Sequence, residues 1–166
     1  MKFFCVILTV LLLLCGCSAE PTFETLGPVL DHQGTAEPKR ISVLLPADAA
    51  ATVMAGGNGK LYFCDGYEVM AETLEAGDIG KTVKSVTGYP SESMTVLETS
   101  VSEVKRYECA WTAVAEAGDI VGRAVILDDG SYHYVLSVMA PAQEAGSLHS
   151  TWDELFASYQ FTLKNG

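Results

Sequence analysis

Few residues in this chain could do chemistry, and the histidines come first. His133 and His149 could hold a metal ion together with Asp128 and Asp129, because imidazole and carboxylate groups are common metal ligands. The spacing of the histidines argues against a metal site, since no two of them stand four residues apart and no His-Glu-x-x-His motif occurs. Asp128-Asp129-Gly130 is typical of a hairpin turn. We therefore predict no metal, no cofactor and no catalytic residue, and we expect His133 to face solvent or a sheet edge.

Two cysteines in the body of the chain, Cys64 and Cys109, are the next candidates. Both lie in predicted strands, and two arrangements are open: a disulfide between them, or two separate buried thiols that behave as small hydrophobic groups. We favour separate thiols, because nothing in the sequence brings their Cα atoms within about 7 Å. A catalytic thiol is not expected, since no base is evident and Arg106 is the only cationic neighbour.

The glycine-rich stretch at residues 56–60 suggests a phosphate-binding loop but does not fit one. The motif requires glycine where Met54 stands, and serine or threonine where Leu61 stands. The nucleophile-elbow pattern G-x-S-x-G and the dinucleotide pattern G-x-G-x-x-G are also absent from the sequence. The sequence therefore predicts neither phosphate binding nor nucleophilic catalysis.

Four tyrosines are candidates for binding rather than catalysis. Aromatic residues are frequent in the predicted strands, and some must lie on the sheet face that the C-terminal helix does not cover. If exposed, that face would be a platform for stacking or for a peptide. The alternative is that a second helix or residues 47–55 cover it, since soluble proteins rarely expose such a surface. The candidate binding residues are Tyr62, Tyr67, Tyr132 and Tyr134.

The elements that position these residues centre on three predicted strands between residues 104 and 140. In the first strand Tyr107, Cys109 and Trp111 share one side, and polar residues alternate with them. This period of two is typical of a strand with one face on a core. The turn signals Gly118-Asp119 and Asp129-Gly130 separate the strands. We predict an antiparallel meander.

Two helices are predicted to pack on this meander. Asp78 is a suitable N-cap for the first, over residues 78–87, and Gly88 ends it. The second covers residues 147–160, where Trp152, Phe156 and other apolar residues recur at helical spacing. The remaining predictions are a strand at 40–46, a loop or loose helical turn at 47–55, a hairpin of 60–64 with 67–74, and a strand at 94–99.

Composition limits the class of protein. The 166 residues carry a formal net charge of -11, which repels nucleic acids and anionic membrane surfaces, so we exclude nucleic-acid binding. Hydrophobic residues make up 49% and charged residues 19%, which favours a globular fold over disorder. The length suits one domain with a proper core.

The N-terminus predicts where the protein is located. Residues 3–14 are mostly apolar but too few for a spanning helix, which needs about 20, and have the length of a signal-peptide core. The run ends in Leu14-Cys15-Gly16-Cys17, which resembles the bacterial lipobox. The resemblance implies that Cys17 becomes the N-terminus and carries acyl chains that hold the protein outside the cytosol. An ordinary secretory signal cut near Ala19 is the alternative.

The predicted organisation therefore has three parts. Residues 1–16 are the lipoprotein signal peptide, residues 17–38 are the lipidated cysteine and a flexible tether, and residues 39–163 are a single α+β domain. Proline and glycine without sustained periodicity indicate the tether.

The order of elements resembles a known fold. It is similar to the PsbP-like fold, an α/β/α sandwich around an antiparallel sheet, named for an extrinsic protein of photosystem II and shared by a nuclear Ran-binding protein. The chain also resembles lipoproteins of Clostridia-type gut bacteria. Fold likeness does not transfer a partner. The residues behind the likeness are Leu45-Pro46, Thr87-Gly88-Tyr89, Asp128-Asp129-Gly130, and Trp152, Phe156, Tyr159 and Phe161.

Two functional hypotheses follow from these predictions. The first is a membrane-anchored, non-enzymatic binding or accessory module for an envelope protein, peptide or ligand. The alternative is a hydrolytic or metal-dependent enzyme whose site is assembled only in three dimensions. A converging pocket of His, Asp or Cys would favour the enzyme, and scattered histidines would count against it. A purely structural role in spacing envelope layers stays open as a third.

Overall fold

The structure, a computed structural model, describes residues 22–24, 37–53, 58–101 and 103–162. In chain order the strands are β1 (Thr22–Glu24), β2 (Ile41–Val43), β3 (Ala50–Val53), β4 (Gly59–Cys64), β5 (Tyr67–Glu75), β6 (Val96–Val101), β7 (Val104–Ala113), β8 (Ile120–Asp128), β9 (Tyr132–Pro141) and β10 (Gln160–Phe161). The helices are α1 (Ile79–Thr87), α2 (Ala142–Ala145) and α3 (His149–Ser158), with a 3-10 turn at Ser91–Ser93.

Seven antiparallel strands form the main sheet in the order β3-β4-β5-β9-β8-β7-β6. The predicted meander is confirmed as β7, β8 and β9, and the predicted hairpin as β4 and β5. The two units join where β5 pairs with β9, so that Val69 lies opposite Val138. The strands β1, β2 and β10 form a separate sheet in the order β1-β2-β10, and Ile41 and Val43 of β2 belong to the same hydrophobic core as the main sheet. The predicted α+β class is confirmed.

One face of the main sheet, which we call the α3 face, carries the largest core. Because side chains alternate along a strand, β5 directs Val69 and Ala71 to this face, and β9 directs Tyr134 and Leu136 there. Trp152 of α3 packs against them and is 2% exposed. The predicted C-terminal helix therefore covers the meander as expected, although it begins at His149 and ends at Ser158.

The opposite face, which we call the α1 face, is covered by α1. The side chain of Asp78 accepts a hydrogen bond from the Gly80 N–H at 2.9 Å, and Gly88 ends the helix with a φ of 80°. Both predicted caps are confirmed. Val83 is buried against Ile126 and neighbouring apolar side chains of the sheet. The sheet therefore has helices on both faces, as in a sandwich.

Three predictions about the first part of the chain need correction. Residues 50–53 form a strand, not a loop or helical turn, because they extend the β4–β5 hairpin by one strand. The predicted strand at 40–46 is shorter and lies in the small sheet. Thr22–Glu24, inside the predicted tether, pairs with β2. The signal peptide, Cys17 and the rest of the tether lie outside the described residues. Among the residues described, no helix is long and apolar enough to cross a membrane.

Candidate functional site

The two strands at one side of the main sheet differ in length, and this leaves an open edge. β6 pairs with β7 only as far as Val96, which lies opposite Cys109. β7 continues through residues 110–113, which pair with β8 on one side. None of the described residues pairs with their other side. We call this outer side of residues 110–113 the free edge.

A groove of about 590 Å³ lies beside the free edge. Its walls come from both faces of the sheet, because the groove passes round the start of β6. Tyr89, Met94 and Trp111 line it on the α1 face, and Leu97 and Arg123 line it on the α3 face. We call it the edge groove. A site of this kind offers both main-chain and side-chain contacts to a bound molecule.

Trp111 forms part of the groove because a glycine makes room for it. Trp111 lies opposite Gly122 in the pairing of β7 with β8. A Cβ atom on Gly122 would meet Cζ2 and Cε2 of the indole at 2.3 and 2.4 Å. The ring therefore lies flat against the backbone of β8, and Trp111 is only 8% exposed. A glycine inside a strand signals such a close approach, so the sequence carried a sign of this contact that our interpretation missed.

Arg123 supplies the positive charge on the α3-face side of the groove. Its Nη1 donates to Asp153 Oδ1 at 2.8 Å, and its guanidinium lies 5.2 Å from the centre of the Phe156 ring. The hydrogen bond from Arg123 lowers the pKa of Asp153, and His149 at 3.0 Å contributes in the same direction. An arginine has five N–H donors, so Arg123 can bind a second acceptor in the groove while it keeps Asp153.

His133 lies under α1 and not at the surface, so the prediction that it faces solvent is wrong. Its side chain is fully buried, because α1 covers this end of β9. Nδ1 is 2.7 Å from Thr82 Oγ1, and Nε2 is 3.7 Å from Asp128 Oδ2. Burial lowers the pKa of His133, and the charges of Asp128 and Asp129 oppose that shift. Thr82 is itself buried, so this cluster holds α1 to the sheet and offers no accessible nucleophile.

The histidines do not converge. His133 is enclosed on the α1 face, whereas His149 is exposed on α3, which packs on the other face. His32 lies outside the described residues. Within the ranges that the structure describes, no three His, Cys, Asp or Glu side chains are grouped to hold a metal ion.

Cys64 and Cys109 are separate free thiols and not a disulfide. The favoured alternative had both of them buried, whereas only Cys109 is buried and Cys64 is half-buried. β5, β9 and β8 lie between their strands, which places them roughly 19 Å apart at the usual spacing of strands. Burial raises the pKa of Cys109 to about 11 and also raises that of Cys64. Both are therefore neutral at pH 7. Cys109 borders the edge groove, but it contributes there as an apolar group.

The predicted tyrosine face is not a binding surface. Tyr62, Tyr67, Tyr132 and Tyr134 all lie on the α3 face, where their exposure is between 0 and 7%. The four tyrosines are buried because the period of two along their strands places all of them on the face that α3 covers. The ring of Tyr67 meets Trp152 at 6.4 Å between centroids. These residues are core.

Tyr134 also takes part in a buried polar contact at the β8–β9 turn. Its hydroxyl donates to Asp129 Oδ2 at 3.2 Å and accepts from the Lys39 N–H at 2.8 Å. Burial alone would raise the pKa of Asp129. The N–H groups of Tyr132 and Ser131, together with the Lys39 ammonium at 3.1 Å, outweigh it and lower the pKa. Asp129 thus ties the start of the domain to this turn.

A second cleft of about 420 Å³ lies at the end of the sheet where the β4–β5 and β7–β8 turns meet. It is more apolar than the edge groove, and Phe63, Ile120 and Met139 contribute to its lining. Its apolar lining could accommodate the side chain of a partner or a small apolar molecule.

The solved structures that are similar to this chain include a cyanobacterial protein and a Bacteroides protein. The cyanobacterial PsbP protein (CyanoP) of Synechocystis sp. PCC 6803, determined in solution, matches with a TM-score of 0.56 and 9% identity over 74% of this chain and 86% of its own. A protein of Bacteroides thetaiotaomicron, determined by crystallography, matches with a TM-score of 0.51 and 13% identity over 76% of this chain and 46% of its own. No known protein family and no curated protein matches the sequence.

The predicted PsbP-like fold is therefore confirmed. Identities this low show the fold alone and carry no partner or activity to this chain. The lipobox and the resemblance to Clostridia-type lipoproteins stay predictions.

Proposed function

We propose that the protein is a membrane-anchored extracytoplasmic lipoprotein whose PsbP-like domain is a non-enzymatic accessory module, and that it binds an envelope partner at the free edge and the edge groove. The lipid on Cys17 would hold the domain at the membrane surface, since two or three acyl chains anchor a protein stably. The acidic body would stay clear of anionic lipid headgroups and present the sheet edge to a protein.

The observation that carries this proposal is the free edge itself. Unpaired strand edges invite pairing with other chains, and proteins usually protect them with charge, proline or a covering element. Residues 110–113 have none of these protections, since Ala110 and Thr112 are exposed, small and uncharged. Further along the same side of the sheet β6 covers β7, and Glu98 of β6 forms an ion pair with Lys105 of β7 at 3.4 Å. The unprotected edge coincides with the larger of the two described cavities.

The fold supports an accessory role rather than a catalytic one. The PsbP-like fold is named for an extrinsic protein, and extrinsic proteins act by attachment to a larger assembly. Fold likeness alone is an associational argument, so the identity of the partner does not follow from it. The edge groove holds Trp111, Arg123, the carboxylate of Glu108 and small polar groups, and this combination suits recognition of a protein segment.

A crosslinking experiment in the native envelope tests the binding site. A photoreactive amino acid is placed at Thr112 on the free edge, and in a matched variant at Lys84, which is exposed on α1. We expect one discrete adduct from position 112 and none of similar yield from position 84. Equal patterns from both positions, or no discrete adduct from position 112, would contradict the proposed site.

The anchor is tested separately. Mass spectrometry of the mature protein from native membranes should find a lipid-modified Cys17 as its first residue. A Cys17→Ser variant should leave the membrane fraction and lose the adduct formed from Thr112. A mature protein that begins at another residue would contradict the proposed lipid anchor but would not affect the proposed binding site.

A further inference from the structure

We propose that the bound part of the partner is an extended segment that joins the main sheet as an added strand along residues 110–113, in the line of β6. The inference rests on the proposed function and names the chemistry of its partner. The segment has an apolar side chain towards Trp111 and a hydrogen-bond acceptor towards Arg123 on the other face. Three features of the edge lead to this inference.

The first feature is the main chain. In an antiparallel strand every second residue directs both its N–H and its C=O to the same side. Residues 110–113 use one side for β8, so about two N–H and two C=O groups point to the free edge. No described residue supplies their partners. An extended main chain is the ligand that satisfies such a row of alternating donors and acceptors.

The second feature is the α1 face beside the edge. Trp111 is fixed against Gly122, so its indole cannot turn into the sheet and one border of it faces the groove. Met94, two residues before β6, also lines the groove and packs against the cluster of Cys109, Trp111 and Ala124. An added strand would place a side chain beside Trp111 and Met94, and both are apolar. This position therefore selects an apolar residue.

The third feature is the α3 face beside the edge. Ala110 lies directly opposite Arg123 in the pairing of β7 with β8. Because alanine is small, a side chain of the added strand opposite Ala110 can reach across it to the guanidinium. Arg123 keeps donors available beside its bond to Asp153, and an acidic or amide side chain would complement them.

The pairing is expected to be short. β6 begins opposite Cys109, and the meander turns after Ala113, so the open stretch covers residues 110–113, about 13 Å of extended chain. Few main-chain bonds give modest affinity, and the side chains at Trp111 and Arg123 would set which segments bind.

The test uses the purified protein with a random twelve-residue peptide display library as the probe. The selected peptides are synthesised with single N-methyl groups at successive positions. If the peptide pairs as a strand, methylation at alternate positions should weaken binding by at least about tenfold, and methylation at the positions between should have little effect. Selection of no binder, or losses without alternation, would overturn strand addition.

Two matched variants locate the site. Ala110→Glu places a carboxylate next to Arg123 on the exposed edge, and we expect at least about tenfold weaker peptide binding. Val114→Glu adds the same charge four residues away at a position that is 86% exposed, and binding should be unchanged. Equal effects of the two variants would overturn the assignment. If the native adduct from Thr112 forms but the selected peptides show no alternation, the proposed function stands and strand addition fails.

Discussion

Replacement of Gly122 by alanine is the most direct structural test of the groove, because it disturbs one contact. The new Cβ would lie 2.3 and 2.4 Å from two atoms of the Trp111 ring and 2.8 Å from a third. Carbon atoms separate by roughly 3.5 Å at their best contact, so the indole must move by about 1 Å. Trp111 is 8% exposed and its ring lies against the backbone of β8, which leaves the ring little room to move.

The expected loss of stability is about 2–3 kcal/mol. Overpacking of a core costs about 1–3 kcal/mol. The upper limit is full expulsion of the indole, which would lose roughly 150–250 Å² of burial at about 25 cal/mol per Å², or about 4–6 kcal/mol. Because Gly→Ala in a strand otherwise stabilises by about 0.5–1 kcal/mol, the net loss should fall below that limit.

Urea unfolding followed by circular dichroism measures this loss. Gly146→Ala is the matched control, since Gly146 has a φ of -65° and a Cβ there meets nothing within 4 Å. That control should be neutral or stabilised by up to about 1 kcal/mol. In a Trp111→Leu background Gly122→Ala should lower the free energy of unfolding much less than in the wild-type background. The difference between the two losses is the coupling energy, which we expect to be at least about 1 kcal/mol. A Gly122→Ala variant as stable as the control, or an equal cost in both backgrounds, would refute the reasoning.

Three further predictions concern titration and thiols. Burial lowers the pKa of His133, so on acidification the unfolded chain gains a proton on this residue, below about pH 6.5, before the folded chain does. The free energy of unfolding should therefore fall from pH 7 to pH 5. In urea titrations His133→Gln should reduce this dependence on pH. Asp129→Asn should cost about 1–3 kcal/mol at pH 7. Because the folded protein lowers the pKa of Asp129, the difference should shrink as the pH falls below the ordinary carboxyl pKa and vanish only below the lowered pKa. In native labelling mapped by mass spectrometry, half-buried Cys64 should react faster than buried Cys109, and no peptide linked through both should appear.

Local patterns predicted most of the fold. The period of two in β7, the turn signals of the meander, and the caps Asp78 and Gly88 each depend on neighbouring residues, and each is confirmed. The apolar spacing around Trp152 likewise sufficed to place α3 on the core.

The candidate site could not be predicted in this way, because it depends on register between distant strands. The free edge exists only because Val96 lies opposite Cys109, and no local pattern states where β6 begins relative to β7. The prediction of a tyrosine binding face was wrong for a related reason. Alternation showed which residues share a face, but not that α3 covers the face of Tyr134 while α1 covers that of His133.

Amide hydrogen exchange along β7, read by NMR, tests the free edge most directly. In the unbound protein the amides of residues 110–113 that point away from β8 should exchange at least about 100-fold faster than those of Val104 to Cys109 that point to β6. A selected peptide or the native partner should protect those same amides and leave the outer side of β6 unchanged. Uniform protection along β7 in the unbound protein, or binding that leaves these amides exposed, would contradict the account.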